Sequence, residues 1–319
     1  MTELRNLAKR KGSYIFILLL IFSLSLLGCT VMDYSSPKSP EPKIESPNIN
    51  DQKTVEEQAK ELVVTFLDVG QADAALIQVP NGTNILIDAG NNEDGKFLTS
   101  YLKNKGIEKI HILIGTHPHE DHIGGMDNVI EEFAIGQVIM PKVTHTTKTF
   151  EDVLVAIEKK GLKIKEGKAG VKLELGEMAA GLPPIAAEII APQSRQYEDL
   201  NNYSVVLRLV YGSQAFLFTG DAEELSEKEM LAAQTDLQAQ VLKVGHHGSN
   251  SSTTQEFLAK VKPEYAIISV GKDNDYGHPK EAVLKRLTKA GAAIYRTDEL
   301  GTIKVITDGT VLKIENHKE

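Results

Sequence analysis

Ten residues constrain this chain more than anything else in it: Thr116-His117-Pro118-His119-Glu120-Asp121-His122-Ile123-Gly124-Gly125, placed directly after the apolar, β-branched stretch 110–115. Three imidazoles and two carboxylates within six residues are costly to bring together beside a buried strand unless shared charge holds them. His117 and His119 are two apart, so from an extended backbone both side chains project together. Asp121 and His122 then fall at the turn into a helix-like segment, aimed at a neighbouring point. That spacing is a plausible way to hold two cations a few Å apart. A polar loop that is rich in histidine by accident is the weaker reading.

From residue 61 onward, apolar runs alternate with helical patterns. Residues 62–69, 74–79 and 84–87 read as consecutive strands, with Asn81-Gly82 as a hairpin turn. A helix is expected over 96–105, closed by Gly106, then a buried strand at 110–115. Residues 123–133 look helical, 137–140 extended, and 151–160 helical up to Gly161. A second series follows: strands at 186–191, 204–211 and 214–219, a helix at 222–233, a strand at 240–244, a helix at 254–261 and a strand at 265–270. A helix at 279–290 and strands at 292–296, 302–307 and 310–315 complete the chain. Two comparable series suggest two β-sheets covered by helices in one layered domain. Periodicity does not say whether the sheets face each other.

The N-terminus reads as an address. Arg5, Lys9, Arg10 and Lys11 precede an almost unbroken apolar run to Leu27, too short for a comfortable membrane span and typical of a signal peptide. Leu26-Leu27-Gly28-Cys29 closes the run and resembles the lipobox of bacterial lipoproteins, in which the cysteine is lipidated. Cys29 is the only cysteine in the chain, which excludes an intramolecular disulfide. Prolines at 37, 40, 42 and 47 among Ser, Asn and charged residues mark an extended tether. The expected organisation is therefore signal peptide 1–28, tether 29–60 and folded body 61–319, held by lipid at the extracytoplasmic face of the membrane. The net charge is −9, and the leader removed would carry off mostly basic residues. So acidic a body argues against broad adhesion to nucleic acid, although a local basic patch would escape a sequence reading.

His-x-His-x-Asp-His followed by Gly-Gly resembles the signature of the metallo-β-lactamase-fold hydrolases. Matching motifs follow in order: Leu86-Ile87-Asp88-Ala89-Gly90, Phe218-Thr219-Gly220-Asp221 and Val244-Gly245-His246-His247-Gly248-Ser249. The stretch from Phe66 to Ala74 (FLDVGQADA) and the double histidine are similar to the ComEC-type branch, known from the end of competence DNA-uptake channels and from free-standing secreted relatives. The channel's membrane domain is absent from this sequence, so its transport role does not carry over. The resemblance implies an α/β fold of the αββα sandwich type, with two mixed sheets flanked by helices. It implies two divalent transition-metal ions, zinc first and manganese second. His117, His119 and a bridging Asp221 would hold the first, and Asp121, His122, Asp221 and His247 the second. Many members carry a third histidine for the first metal, but none lies between His145 and His246 here. Asn201, Asn202 and Ser204 occupy that region, as in the ComEC-type branch.

Asp88 is expected to orient a metal ligand, and Asn202 and His278 to support the site or touch substrate. Asp121 and His246 are the expected catalytic residues. By resemblance to bacterial phosphorylcholine esterases, His247 ligates metal and His246 reaches substrate; a strand at that point would also send the two rings to opposite faces. His145 is a weaker candidate for substrate contact, and His111 and His317 are better explained as structural or solvated. Ser249, Ser251, Ser252 and Thr253 read as a hydroxyl-rich helix start whose free amides could receive a phosphate oxygen. A water shared by two such cations loses its proton near neutral pH and would be the nucleophile; the branch resemblance, with an open two-metal site, implies hydrolysis of a phosphodiester by that hydroxide. The substrate would be a nucleic acid, a nucleotide or a cell-envelope phosphoester; no protein partner is legible. Acyl-bond hydrolysis of the lactamase or lactonase kind and a non-catalytic envelope-binding module are the alternatives, because the fold alone does not choose among them.

Overall fold

The computed structural model describes residues 60–194 and 196–317. The predicted signal segment, Cys29 and nearly all of the tether lie outside them. Among the described residues no helix is long and apolar enough to cross a membrane.

The chain runs β1 (Leu62–Phe66), β2 (Ala75–Gln78), β3 (Asn84–Ile87), α1 (Gly95–Asn104), β4 (Lys109–Ile114), α2 (Glu120–Ile123), α3 (Met126–Glu132), β5 (Ala134–Met140) and α4 (Lys148–Lys159). Short edge strands β6 (Ile164–Glu166) and β7 (Val171–Lys172) lead to β8 (Ile185–Ala191), β9 (Val206–Tyr211), β10 (Gln214–Phe218), α5 (Glu224–Ala232), β11 (Val241–Lys243), α6 (Gln255–Val261) and β12 (Tyr265–Ile268). The end of the chain contributes α7 (Glu281–Lys289), β13 (Ala293–Arg296), α8 (Thr297–Leu300), β14 (Thr302–Thr307) and β15 (Leu312–His317).

One sheet has the order β15-β14-β1-β2-β3-β4-β5-β6, the other β13-β12-β11-β10-β9-β8-β7. Strand alternation decides what each face meets. In the first sheet Phe66, Ile77, Ile85, Ile112 and Ile139 point inward and join Leu207, Leu209, Tyr211, Phe216 and Phe218 of the second in one core. The alternate residues Leu76, Leu86, Leu113 and Val138 face α1, α3 and α4 instead. Leu217, Leu242 and Ala266 of the second sheet likewise pack on α5, α6 and α7. The sheets thus face each other; Phe66 and Phe218 stack between them with centroids 5.9 Å apart. This is an αββα sandwich.

Strand polarity gathers the polar loops at one edge. β3, β4 and β5 are parallel, as are β10, β11 and β12. β1 and β2 are antiparallel neighbours paired Phe66 to Ala75, which places 67–74 at the same edge as the C-terminus of β3, where Ile87 pairs with Ala75. Ligands in open α/β sheets collect outside the carboxyl ends of such strands.

Three expectations change. The helix expected over 123–133 is broken into α2 and α3, because Gly124 and Gly125 pass against other backbone: a Cβ on Gly124 would lie 2.2 Å from the Asn91 carbonyl carbon, and one on Gly125 2.6 Å from the Ala89 oxygen. The strand expected over 62–69 stops at Phe66, where Leu67 N bonds Ala74 O at 2.9 Å and closes a loop. The two series are not the two sheets either, since β14 and β15 return to the first sheet beside β1.

Candidate metal centre

The loop after β4 brings His117 and His119 together edge to face, with His117 Nε2 3.0 Å from His119 Nδ1. Four residues from three different segments converge beside them. Asp121, His122, Asp221 and His247 each offer a ligand atom within 4.8 Å of the other three. His122 Nε2 lies 3.3 Å from Asp221 Oδ2 and 3.8 Å from Asp121 Oδ2. His247 Nε2 lies 3.2 Å from Asp121 Oδ2 and 3.7 Å from Asp221 Oδ2. The segments that deliver them are α2, the turn after β10 and the turn after β11.

Each imidazole is held so that one nitrogen faces the cluster. Ser269 O can only accept, so His247 Nδ1 donates to it at 2.9 Å and turns Nε2 inward. His122 Nδ1 sits 2.8 Å from Asp88 Oδ2. Asp88 is itself fixed by Thr116, whose N–H and hydroxyl donate to its two oxygens at 2.8 Å each. Such carboxylate and carbonyl partners fix the tautomer and the aim of metal-binding histidines. Asp221 N donates to Ser204 Oγ at 3.0 Å, which anchors the turn after β10.

The electrostatics require positive charge at this point. Burial alone would raise Asp121 and Asp221, but His122 and His247 beside them hold both carboxyls well below the usual range. Burial would lower His122, yet Asp221, Asp121 and Asp88 together raise it well above the ordinary histidine value. His117 and His119 are pushed down, chiefly by burial, and so favour the neutral form that ligates metal. His122 Nε2 and Asp221 Oδ1 are buried with no hydrogen-bond partner. Buried polar atoms without partners inside a cluster of imidazoles and carboxylates fit a donor set for divalent metal. Asp121, His122, Asp221 and His247 would hold one ion, and His117 with His119 a second beside it.

Three residues escaped the sequence reading. Lys243, on the last residue of β11, is 4% exposed and its Nζ meets Asp73 Oδ2 at 2.7 Å. Asp73 Oδ1 also lies 3.4 Å from His247 Nδ1. Asp73, Asp88 and His122 make a second cluster of ligand spacing, but the Lys243 ammonium already balances Asp73 there. Glu223 was missed as well. Its Oε1 takes His246 Nδ1 at 3.0 Å, leaving His246 Nε2 3.8 Å from Asp221 Oδ2. Burial pulls His246 down, but the Glu223 hydrogen bond and the Asp221 charge outweigh it and the net shift is upward.

Asp121, Asp221 and His247 of the cluster line an open cleft of about 820 Å³, together with His119, His145, Asn201, His246 and His278, with His122 buried behind them. His278 packs edge-on to His246 at 5.7 Å and is pulled down to about 4 by burial and the neighbouring His246 and His247. His145 stands edge-on to His119 at 6.0 Å. His111 is structural, its Nδ1 accepting from Asn84 N at 3.1 Å.

Three sequence-based assignments need correction. Asn202 is buried away from the cleft, where its Oδ1 accepts from Ser226 N at 3.1 Å and caps α5; Asn201 is the asparagine that lines the cleft. His246 and His247 do not sit on a strand. Both have positive φ, 46° and 49°, in a tight turn after β11, so the rings diverge because of the turn and not because of strand alternation. The Thr253 and Thr254 amides at the hydroxyl-rich entry to α6 are not free for a phosphate either. Glu227 already accepts from Thr253 N at 2.5 Å and Thr254 N at 2.9 Å.

Residues 67–272 match the Metallo-beta-lactamase superfamily. The chain belongs to that superfamily. Within it the relatives are of the ComEC type. The chain is 32% identical over 258 residues to ComE operon protein 3 of Bacillus subtilis, covering 76% of this chain and 32% of that protein. It is 30% identical over 246 residues to competence protein ComA of Neisseria gonorrhoeae, with 76% and 32% covered. It therefore spans about a third of the length of these relatives. Among solved structures CmlA, a diiron β-hydroxylase from Streptomyces venezuelae, superposes with a TM-score of 0.50 at 15% identity over 74% of this chain and 52% of that one. At that identity the likeness is one of fold. Superfamily and donor set together make this a metallo-hydrolase in general type, with a candidate dinuclear site.

Proposed function

We propose that this metallo-β-lactamase-superfamily protein hydrolyses a phosphodiester in a nucleic acid, a nucleotide or a cell-envelope component, at the outer face of the membrane to which Cys29 anchors it. The observation that supports this most is the asymmetry of the cluster. One group of four donors is complete enough for a tetrahedral ion, whereas the buried His117 stands beside His119 with no third histidine, and His119 opens onto the cleft. A position left open to solvent is where substrate and water enter. When bound, two divalent ions would supply Lewis acidity and activate water for in-line displacement at phosphorus.

The chain's own residues do the rest. Asp121, its side chain 32% exposed, reaches from the ligand cluster into the cleft. Glu223 holds the proton on His246 Nδ1, and Nε2 faces the reacting end of the cleft, placed to contact a phosphate oxygen or protonate a leaving alkoxide. Asn201 Nδ2, 3.3 Å from Glu223 Oε1, steadies that pair. His145 and His278 flank the opening, and His278 stays neutral because its pKa is so low.

The test is metal analysis of the full-length protein with turnover of a bis-aryl phosphodiester, a cephalosporin-type lactam and a lactone side by side. Up to two zinc or manganese ions should bind, Asp221→Ala should weaken both, and the phosphodiester should turn over fastest. Asp121→Ala should remove most of that rate. Faster lactam or lactone turnover would transfer the assignment to acyl hydrolysis, and metal without any turnover would leave a binding module.

A further inference from the structure

A second cleft, of about 710 Å³, shares Gly70 with the metal cleft. Gly70 has φ +65°, and a Cβ there would meet nothing within 4 Å, so the divide between the two clefts is bare backbone under open space. The walls of the second cleft include Phe97 and Tyr101 of α1, Lys105 just beyond it, Lys272 after β12 and Lys304 of β14. In a chain of net charge −9, three lysines line one hollow. Among the described residues none of the three ammoniums forms an ion pair. Two carboxylates, Asp68 and Asp298, line the same cleft, and these and Glu315 nearby have other partners. Arg296 holds Asp298, Asp68 accepts from Gly70 N at 3.3 Å, and Glu315, opposite Lys304 across the β14–β15 pair, is held by Lys313 at 2.8 Å. Burial and then the charge of Lys304 push the Lys105 ammonium below its ordinary range, so two like charges are held close to one another. Lys105 Nζ lies 5.5 Å from the Tyr101 ring centroid, and the Phe97 ring, 6.2 Å from Tyr101, is 38% exposed.

Unpaired cations beside exposed aromatic faces suit a strand that presents phosphates and flat bases together. A polyol phosphate offers the charge without the faces. We propose that the second cleft is a subsite for the nucleotides flanking the scissile bond of a single-stranded nucleic acid, with Lys105, Lys272 and Lys304 meeting phosphates and Phe97 stacking a base. The strand crosses at Gly70 from one cleft to the other. This rests on the phosphodiester reading above and narrows its substrate to a polymer.

The experiment reads binding without metal, so it does not depend on turnover. Chelator-treated full-length protein is titrated into a labelled single-stranded DNA dodecamer across a salt series and followed by fluorescence anisotropy. Lys105→Ala/Lys304→Ala should weaken binding and flatten the slope of log Kobs against log salt by about 1.4, since each lost phosphate contact on a single strand is worth about 0.7. Phe97→Ala should weaken binding roughly 5- to 150-fold, the loss of one stacked base. With metal restored, both variants should turn over a bis-aryl phosphodiester as the wild type does, because that substrate needs only the first cleft. Absence of dodecamer binding by the wild type, or an unchanged slope in the double variant, overturns the subsite. Equal binding of poly(glycerol phosphate), indifferent to Phe97→Ala, overturns the nucleic-acid assignment. Intact bis-aryl turnover beside either result leaves the phosphodiester reading standing, and loss of that turnover alone would remove it instead.

Discussion

Asp73 and Lys243 touch no substrate and sit behind the cluster, and the structure makes them testable as its buttress. Their side chains are 6% and 5% exposed, and among the described residues Lys243 Nζ pairs with Asp73 Oδ2 at 2.7 Å and Val244 O at 2.9 Å. Removing one member of a buried pair leaves an uncompensated charge and costs about 3–5 kcal/mol. Asp73→Asn keeps the shape and an acceptor for Lys243 but drops the charge, so about 3 kcal/mol is expected. Lys243→Met, which strands the carboxylate, should cost about the same. Domains are stable by only about 5–15 kcal/mol in total, so each single variant should fold with a much reduced margin. The double variant has no stranded charge. It should therefore lose less than the sum, by about 2 kcal/mol of coupling. Urea denaturation of chelator-treated protein measures all four corners of the cycle. Zinc affinity, read by competition with a chromophoric chelator, should fall about tenfold in Asp73→Asn, because His247 loses one of the two groups beside its Nδ1 and keeps Ser269 O. If Asp73→Asn costs less than about 1 kcal/mol and leaves zinc affinity unchanged, the pair neither stabilises nor positions, and the reasoning fails.

Parallel metal analysis and kinetics should separate the adjacent histidines: His247→Ala loses metal and is partly rescued by excess metal, while His246→Ala keeps metal and loses kcat. The reverse pattern would exchange their roles. Glu227, 2% exposed, has its pKa raised chiefly by burial, against the opposing pull of its bonds to Thr254 and Thr253. A carboxyl raised on folding contributes stability that is complete below its unfolded pKa and is lost as pH rises through the folded value. The stability advantage of the wild type over Glu227→Gln should therefore shrink as pH rises from about 4.5, the range where an unfolded glutamate titrates, and then level off. An advantage that grows over that range in urea curves would contradict the assignment. Cys29→Ser should release the protein from membranes or leave it unprocessed, and unchanged fractionation would rule out lipid anchoring.

The sequence disclosed most where local chemistry was extreme. Imidazoles packed at 117, 119 and 122 could not be ordinary core, and their order along a loop after a strand already implied convergence. Asp88 was legible only through its motif, yet the structure supplies its physical reason: two bonds from Thr116 aim it at His122 Nδ1. Asp73 and Lys243 were not legible, because a pair 170 residues apart leaves no periodic trace and each alone passes for a loop acid and a strand-end base. Lys243 did offer one signal. It interrupts the apolar run Val241 to Val244, and a lysine in a buried strand needs a partner. The choice of Asn202 over Asn201 failed for a related reason, since adjacent amides differ only in which way a short 3₁₀ turn faces them, and periodicity carries no phase there. The same limit hid the second cleft. Lys105, Lys272 and Lys304 come from three distant segments, so a net charge of −9 concealed a local excess of positive charge that only the folding of β14 beside β1 assembles. Bulk charge thus excludes a uniformly basic face and nothing finer, because the potential a strand meets is set over about 8–10 Å of screened distance and not over the whole chain.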